Sequence, residues 1–261
     1  MQIDLKDKVA IVTGGGRGIG RVIARTFAQE GAKVAIVDFQ PDLLADATLE
    51  WEREGWDGLR ILTDIREKAQ VQQAVAEIEA KYGRIDILVN DAGVASGARV
   101  TELPEEIWDV NFDTNAKGTF LMCQAVAPIM KRQRWGRILN AASYAAITPS
   151  IGSAAYASSK YAVVGFTRVM AGELGPYDVT VNCYSPGMVP TQMNRFAEAP
   201  PERKEQLLNT LTLRRWGDPQ DVANLLAFLA SDLASYITGA HIDVSGGKYA
   251  TQFPSMAYDN Q

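Results

Sequence analysis

Only two cysteines, Cys123 and Cys183, and one histidine, His241, occur in the 261 residues. That excludes a disulfide framework and leaves too few ligands for a closed zinc site, so no metal is expected. The two thiols are expected to fill buried positions in a reducing compartment. No apolar run approaches the roughly 20 residues that span a bilayer, which argues against a membrane protein. The opening MQIDLKDKVAIVTG interleaves charge with apolar residues and runs straight into a strand, without the separate basic and apolar regions of a signal peptide. The expected location is the cytoplasm. Positive charge is in the minority, 26 Lys and Arg against 31 Asp and Glu for a net charge of -5. With no dense basic run to follow a phosphate backbone, nucleic acid is not an expected partner. Repeats, low-complexity tracts and linker-like composition are absent as well, so residues 1–261 read as a single domain.

What is there is ordinary globular composition, 47% apolar and 22% charged. A chain of this length buries roughly 70 to 75% of its unfolded surface, enough for one core without covalent or metal staples. Short, β-branched apolar runs at Val9 to Thr13, Lys33 to Val37, Leu59 to Leu62 and Ile85 to Val89 alternate with segments of helical spacing. The alternation continues through strands at Arg137 to Ala141, Thr180 to Cys183 and Ala240 to Val244. The intervening helices include Pro41 to Glu54, Glu67 to Lys81, a long region from Pro104 to Lys131, and Ala154 to Leu174. Such a pattern predicts an α/β architecture, a doubly wound parallel sheet of about seven strands with helices on both faces. Residues 190–216 break the rhythm with a polar stretch just beyond a strand end, where such sheets bind ligands, and are expected to form a substrate lid. The tail, residues 248–261, carries too little periodicity to assign.

The first strand-to-helix junction reads Thr13-Gly14-Gly15-Gly16-Arg17-Gly18-Ile19-Gly20. Glycines there permit a tight reversal and close approach of backbone to a pyrophosphate, which the free amides of the helix start can bind. The spacing is TGxxxGxG and not the strict GxGxxG form. Asp38 closes the second strand, where a carboxylate can accept both adenosine ribose hydroxyls and repel a 2′-phosphate. Arg17 is the opposing feature, a cation able to meet a phosphate of either cofactor. The balance predicts NAD as cofactor.

Further along, Tyr156 and Lys160 fall one helical turn apart, and Ser143 follows a strand thirteen residues before Tyr156. Hydride exchange at a carbon bearing oxygen requires a proton to move at that oxygen. Lowering a tyrosine from about 10 to about 7 takes roughly 4 kcal/mol, which a cation at about 4 Å in an effective dielectric of about 20 can supply. Lys160 is the candidate cation, Tyr156 the acid and base, and Ser143 the group that holds the substrate oxygen.

These motifs, in this order from Lys8 to Gly247, resemble the short-chain dehydrogenase/reductase family, classical type. The resemblance implies a single-domain Rossmann fold and a catalytic tetrad of Asn115, Ser143, Tyr156 and Lys160, with Asn115 ordering a water toward Lys160. It implies cofactor contacts from Gly14, Arg17, Gly18, Ile19, Gly20, Asp38, Asp64 near the adenine, Asn90, Ala92 and Gly93, Tyr156 and Lys160, and Pro186, Gly187, Val189 and Thr191 around the nicotinamide. Asp91 departs from the family pattern, which has a second asparagine in this place; an ionised carboxylate cannot donate the hydrogen bond of an amide. The resemblance also implies a homotetramer paired through the helical regions Pro104 to Lys131 and Ala154 to Leu174.

The reading that follows is an oxidoreductase moving hydride between NAD and a secondary alcohol or ketone, a sugar or polyol being the expected substrate. A 3-oxoacyl-carrier-protein reductase is the alternative. Its acidic partner would favour a basic mouth built from Arg132, Arg134, Arg195, Arg203 and Lys204. A non-catalytic nicotinamide-binding structural or regulatory protein is the alternative of another class, disfavoured because binding alone needs no acid-base pair. His241 is read as structural.

Overall fold

Val9–Thr13 forms a strand, β1, buried along its whole length, as its run of β-branched residues requires. It leads into helix α1 (Gly18–Gln29), whose Ile23, Ala24 and Phe27 face the core. Full burial of a side chain such as Ile23 or Phe27 contributes about 1.5 to 3 kcal/mol, so this one helical face fixes α1 against the sheet. The computed structural model describes residues 3–194, 196–248 and 250–258. The elements β2 (Lys33–Asp38), α2 (Pro41–Glu54), β3 (Gly58–Leu62), α3 (Lys68–Tyr82) and β4 (Ile87–Asn90) continue the alternation. Then follow α4 (Glu105–Asn111), α5 (Thr119–Gln133), β5 (Gly136–Ala141), α6 (Ala154–Leu174) and β6 (Val179–Pro186). Helices α7 (Pro201–Leu208) and α8 (Pro219–Ala230) precede the last strand, β7 (His241–Val244).

All seven strands lie in one parallel sheet ordered β3-β2-β1-β4-β5-β6-β7. Two hydrophobic layers cover its faces. One joins Phe27, Trp51 and Leu226 to Val12, Ile36 and Leu139; the other joins Ile78, Met122, Val126 and Leu174 to Ile11, Leu88 and Val181. Neighbouring strand residues therefore point to opposite layers, which is why the strands read as unbroken apolar runs. Helix α8 is started by a capping box in which Asp218 and Asp221 satisfy each other's backbone N–H groups, worth about 1 kcal/mol. The order of strand addition reverses between β1 and β4, opening a crevice at their carboxyl ends.

The long helix expected from Pro104 to Lys131 is in fact three pieces. Between α4 and α5, Phe112–Gly118 winds as a π-helix, a wider turn that recurs at functional positions. Gly118 lets this turn approach β3's following loop, since a Cβ there would meet Ile65 at 2.6 Å. Residues 190–216 contain α7, and the strands gain or lose one to three residues at their ends relative to the sequence reading. Both cysteines are free and buried. Among the described residues no helix is long and apolar enough to cross a membrane, and no cluster of His, Cys, Asp and Glu could hold a metal.

Candidate active site

A cleft of about 860 Å³ opens at the carboxyl ends of β1, β2, β4, β5 and β6. It collects Gly14, Arg17, Gly18, Ile19, Asp38, Asp64, Ala92, Gly93, Ser143, Tyr156, Lys160, Pro186, Gly187, Val189 and Thr191 in one wall. Residues scattered from Gly14 to Thr191 converge because parallel strands deliver all their carboxyl ends to the same edge. Gly20, Asn90 and Asn115 stand behind that wall and do not line it.

The turn after β1 is held in its shape by Gly14, which has φ +66, and by the absence of a side chain there: a Cβ would meet Ala92 Cα at 2.8 Å. No side chain caps the start of α1, where Arg17 is extended, so the Gly18 and Ile19 amides remain available to an anion. Asp38 is buried and accepts the Gly16 N–H on Oδ2 and the Gln40 N–H on Oδ1, each at 3.1 Å. Those bonds fix its carboxylate at the mouth of the crevice, beside the turn. Arg17 points elsewhere, its Nη1 donating to Gln192 Oε1 at 3.1 Å. Asp64 is gripped by Arg66, whose Nη2 reaches Oδ2 at 2.6 Å, and the paired guanidinium holds this carboxyl below the usual range. Sequence reasoning missed Arg66, since a pairing between residues two apart leaves no motif. These residues fit a dinucleotide: free helix amides for pyrophosphate, and a fixed acceptor at the end of β2 for ribose hydroxyls.

Asn90 turns the other way, into the sheet, donating from Nδ2 to Asn140 Oδ1 at 2.8 Å and to Cys123 Sγ at 3.3 Å. Alternation along a strand explains this: Asn90 and Asp91 face opposite sides, and Asp91 is the one in the cleft. Gly187 lines the cleft as expected, and a Cβ on it would meet Ser245 Cα at 2.5 Å, so the glycine is also required by the chain leaving β7.

Tyr156 and Lys160 share the face of α6 that lines the cleft. Lys160 is buried, donates from Nζ to Ala141 O at 2.8 Å, and sits 5.9 Å from the Tyr156 ring centroid. Burial lowers its pKa to about 8, with Asp91 acting in the opposite direction. Burial raises the Tyr156 phenol above its ordinary value, while a hydrogen bond with Ser143 lowers it. Desolvation thus opposes the charged form of both groups. Asn115, in the π-helix, is fully buried; its Oδ1 accepts from Val94 N at 2.9 Å and its Nδ2 donates to Val94 O at 3.0 Å and Ser159 Oγ at 2.9 Å. Its side chain is therefore engaged in holding the loop after β4.

Of residues 190–216, Pro190 to Asn194 with Phe196 and Glu198 line the cleft, and residues 199–216 do not. Thr210 to Arg214 are fastened to the tail instead. Lys248 Nζ donates to Thr210 Oγ1 at 2.8 Å, Leu213 N to Gly246 O at 2.9 Å, and Tyr258 Oη to Thr212 O at 2.7 Å. Among the described residues, none of the basic side chains expected at the mouth lines the cleft. Arg132 and Arg134, at the end of α5, pair with Glu79 and Pro176 O at the opposite edge of the sheet, and Arg203 and Lys204 lie on α7. Arg195 is outside the described residues. His241 Nε2 lies 2.5 Å from Ser185 Oγ, between β7 and β6 and away from the cleft lining.

A nucleotide crevice at the switch point of a doubly wound sheet, with a tyrosine, lysine and serine at its floor, defines a nicotinamide-type oxidoreductase site. A family model described as enoyl-(acyl carrier protein) reductase matches residues 14–248. The chain is 38% identical over 245 residues to a 3-oxoacyl-[acyl-carrier-protein] reductase of Thermotoga maritima, covering 93% of this chain and 98% of that one. It is 39% identical over 244 residues to the BbsD subunit of (2S)-[(R)-hydroxy(phenyl)methyl]succinyl-CoA dehydrogenase of Thauera aromatica, covering 94% and 97%. Among solved structures, a 7α-hydroxysteroid dehydrogenase complexed with NADH and 7-oxo glycochenodeoxycholic acid superposes with a TM-score of 0.90 at 34% identity, covering 94% and 96%. The chain belongs to the short-chain dehydrogenase/reductase family, and it is an oxidoreductase of the nicotinamide-using kind.

Proposed function

We propose that this protein interconverts 3-oxoacyl and 3-hydroxyacyl thioesters, using NAD(H), with Tyr156 as the acid and base. The observation that carries the reading is the convergence of Ser143, Tyr156 and Lys160 in a chain whose relatives include two named for acyl thioesters, one on a carrier protein and one on coenzyme A. Those names weigh against the sugar or polyol expected from Asp38 alone.

When bound, the nicotinamide supplies or accepts the hydride. The residues of this chain handle the oxygen. Ser143 and Tyr156 hold the carbonyl oxygen between them, and in reduction Tyr156 gives its proton to that oxygen as the carbon receives hydride. Lys160 carries positive charge beneath the phenol and favours its return to phenolate. Asn115 keeps the Val94 loop against α6 and so keeps Lys160 in place. Asp38 selects NAD by accepting ribose hydroxyls and opposing a 2′-phosphate. The lid is the cleft-lining part of the 190–216 segment. We place the protein in the cytoplasm as a homotetramer.

The test is a turnover screen following reduced nicotinamide with acetoacetyl-coenzyme A, polyols, sugars and hydroxysteroids, each with both cofactors. The thioester is expected to exceed every polyol and sugar at least tenfold in kcat/KM. Turnover confined to polyols or sugars overturns the substrate reading, and cofactor binding without any turnover favours the non-catalytic alternative.

A further inference from the structure

Asp91 stands where the family pattern has a second asparagine, and it faces the cleft with Tyr156 and Lys160. Its two oxygens face two separate elements. Oδ1 accepts from Tyr184 Oη on β6 at 2.7 Å, and Oδ2 lies against the turn into α1, 2.9 Å from where a Gly20 Cβ would stand. The close approach at Gly20 packs one edge of the carboxylate against the turn, while the bond from Tyr184 holds the other.

We propose that Asp91 is a positioning residue for the proton transfer, a fixed negative charge at the floor of the cleft that acts through space on Tyr156 and Lys160 without touching substrate. The proposal rests on the reading that these two residues move the proton. The groups involved come from every element around it: Lys160 and Tyr156 from α6, Tyr184 from β6, the Gly20 amide from α1, and Tyr144 beside Tyr156 after β5. Among the described residues no direct ion pair joins Asp91 to Lys160, whose Nζ bonds to Ala141 O, so the coupling is electrostatic and not a contact. Burial raises the Asp91 carboxyl above its ordinary value; the Tyr184 bond, Lys160 and the Gly20 amide act downward. In turn, Asp91 acts upward on both Lys160 and Tyr156.

The signs give a signature. A negative charge makes both neighbours hold their protons to higher pH, so removing it moves the ionisation of Tyr156 and that of Lys160 in the same direction, toward acid. A residue with a merely structural role would lower activity or stability and leave both limbs of the pH profile where they were.

The experiment measures kcat/KM against pH in the oxidative direction for the parent, Asp91→Asn, Asp91→Ser and Asp91→Glu. It is paired with ultraviolet titration of the Tyr156 phenolate, isolated by subtracting the same titration in Tyr156→Phe backgrounds. The two neutral variants are expected to shift both limbs, and the phenolate titration, downward by at least ~0.5 pH unit, and Asp91→Glu to stay near the parent. Having two neutral variants keeps the test alive if one fails to fold. Limbs and phenolate titration within ~0.2 unit of the parent in a folded neutral variant overturn the proposal. Turnover by Tyr156→Phe would instead overturn the catalytic reading, while the phenolate titration would still decide the effect of Asp91.

Discussion

The Arg17 guanidinium donates to Gln192 Oε1 at 3.1 Å, across 175 residues of chain, and this bond turns it toward the cleft-lining part of the 190–216 segment. The cation most able to offset Asp38 is thereby directed away from it. Phe39, the next residue after Asp38, is exposed and brings no charge. We expect NAD to be preferred over NADP at least tenfold in kcat/KM, a difference of about 1.4 kcal/mol. Asp38→Ala should erase most of that preference, and Gln192→Ala, which frees Arg17, should narrow it less. Parallel kinetics with both cofactors check this, and an unchanged ratio in Asp38→Ala removes the role given to Asp38.

Tyr156→Phe should leave NAD(H) affinity within about threefold and lower turnover by about 10² to 10⁴, the range for a positioned acid-base group. Cofactor fluorescence titration and steady-state rates measure the two halves separately. A variant keeping more than half of the parent rate would sink the assignment.

Gly14→Ala should weaken both fold and cofactor binding. The left-handed backbone there costs a non-glycine residue about 1 kcal/mol or more, and the new Cβ would press on Ala92. The expected result is a melting temperature lower by several degrees and an NAD affinity reduced at least tenfold. A thermal melt with and without cofactor separates the two effects.

The 190–216 segment should behave as two parts. Residues 190–194, which line the cleft together with Phe196 and Glu198, are expected to gain hydrogen-exchange protection in the ternary complex. Residues 210–214 are already tied to Gly246, Lys248 and Tyr258 and should be protected equally with and without ligand. Tyr258→Phe, which removes the bond to Thr212 O, should raise exchange at 210–214 alone. Uniform exchange across the segment in both states would show that it is not a lid.

Phe120 on α5 and Tyr161 and Val169 on α6 are exposed in the single chain. Large apolar side chains on two neighbouring helices are what subunit pairing would cover, and sedimentation equilibrium is expected to give a homotetramer. Only the 28.4 kDa monomer across micromolar concentrations would rule the assembly out.

The sequence alone determined the order of strands and helices, the glycine turn and the tyrosine-lysine pair, because each depends on residues near one another in the chain. Apolar runs such as Val9–Thr13 are legible for the same reason, the demand of a strand buried on both faces. What the tertiary structure decided was direction. Asn90 and Asp91 are adjacent in sequence, yet one is bonded to Asn140 in the core and the other to Tyr184 at the cleft floor. The partners lie 50 and 93 residues away, beyond the reach of any local pattern. Likewise, the distance from Lys160 to Tyr156 and the burial of both groups follow from how α6 packs on β5 and β6. The spacing of the motif names Tyr156 and Lys160 as the candidate pair, and only packing and desolvation decide which way the pKa of each moves.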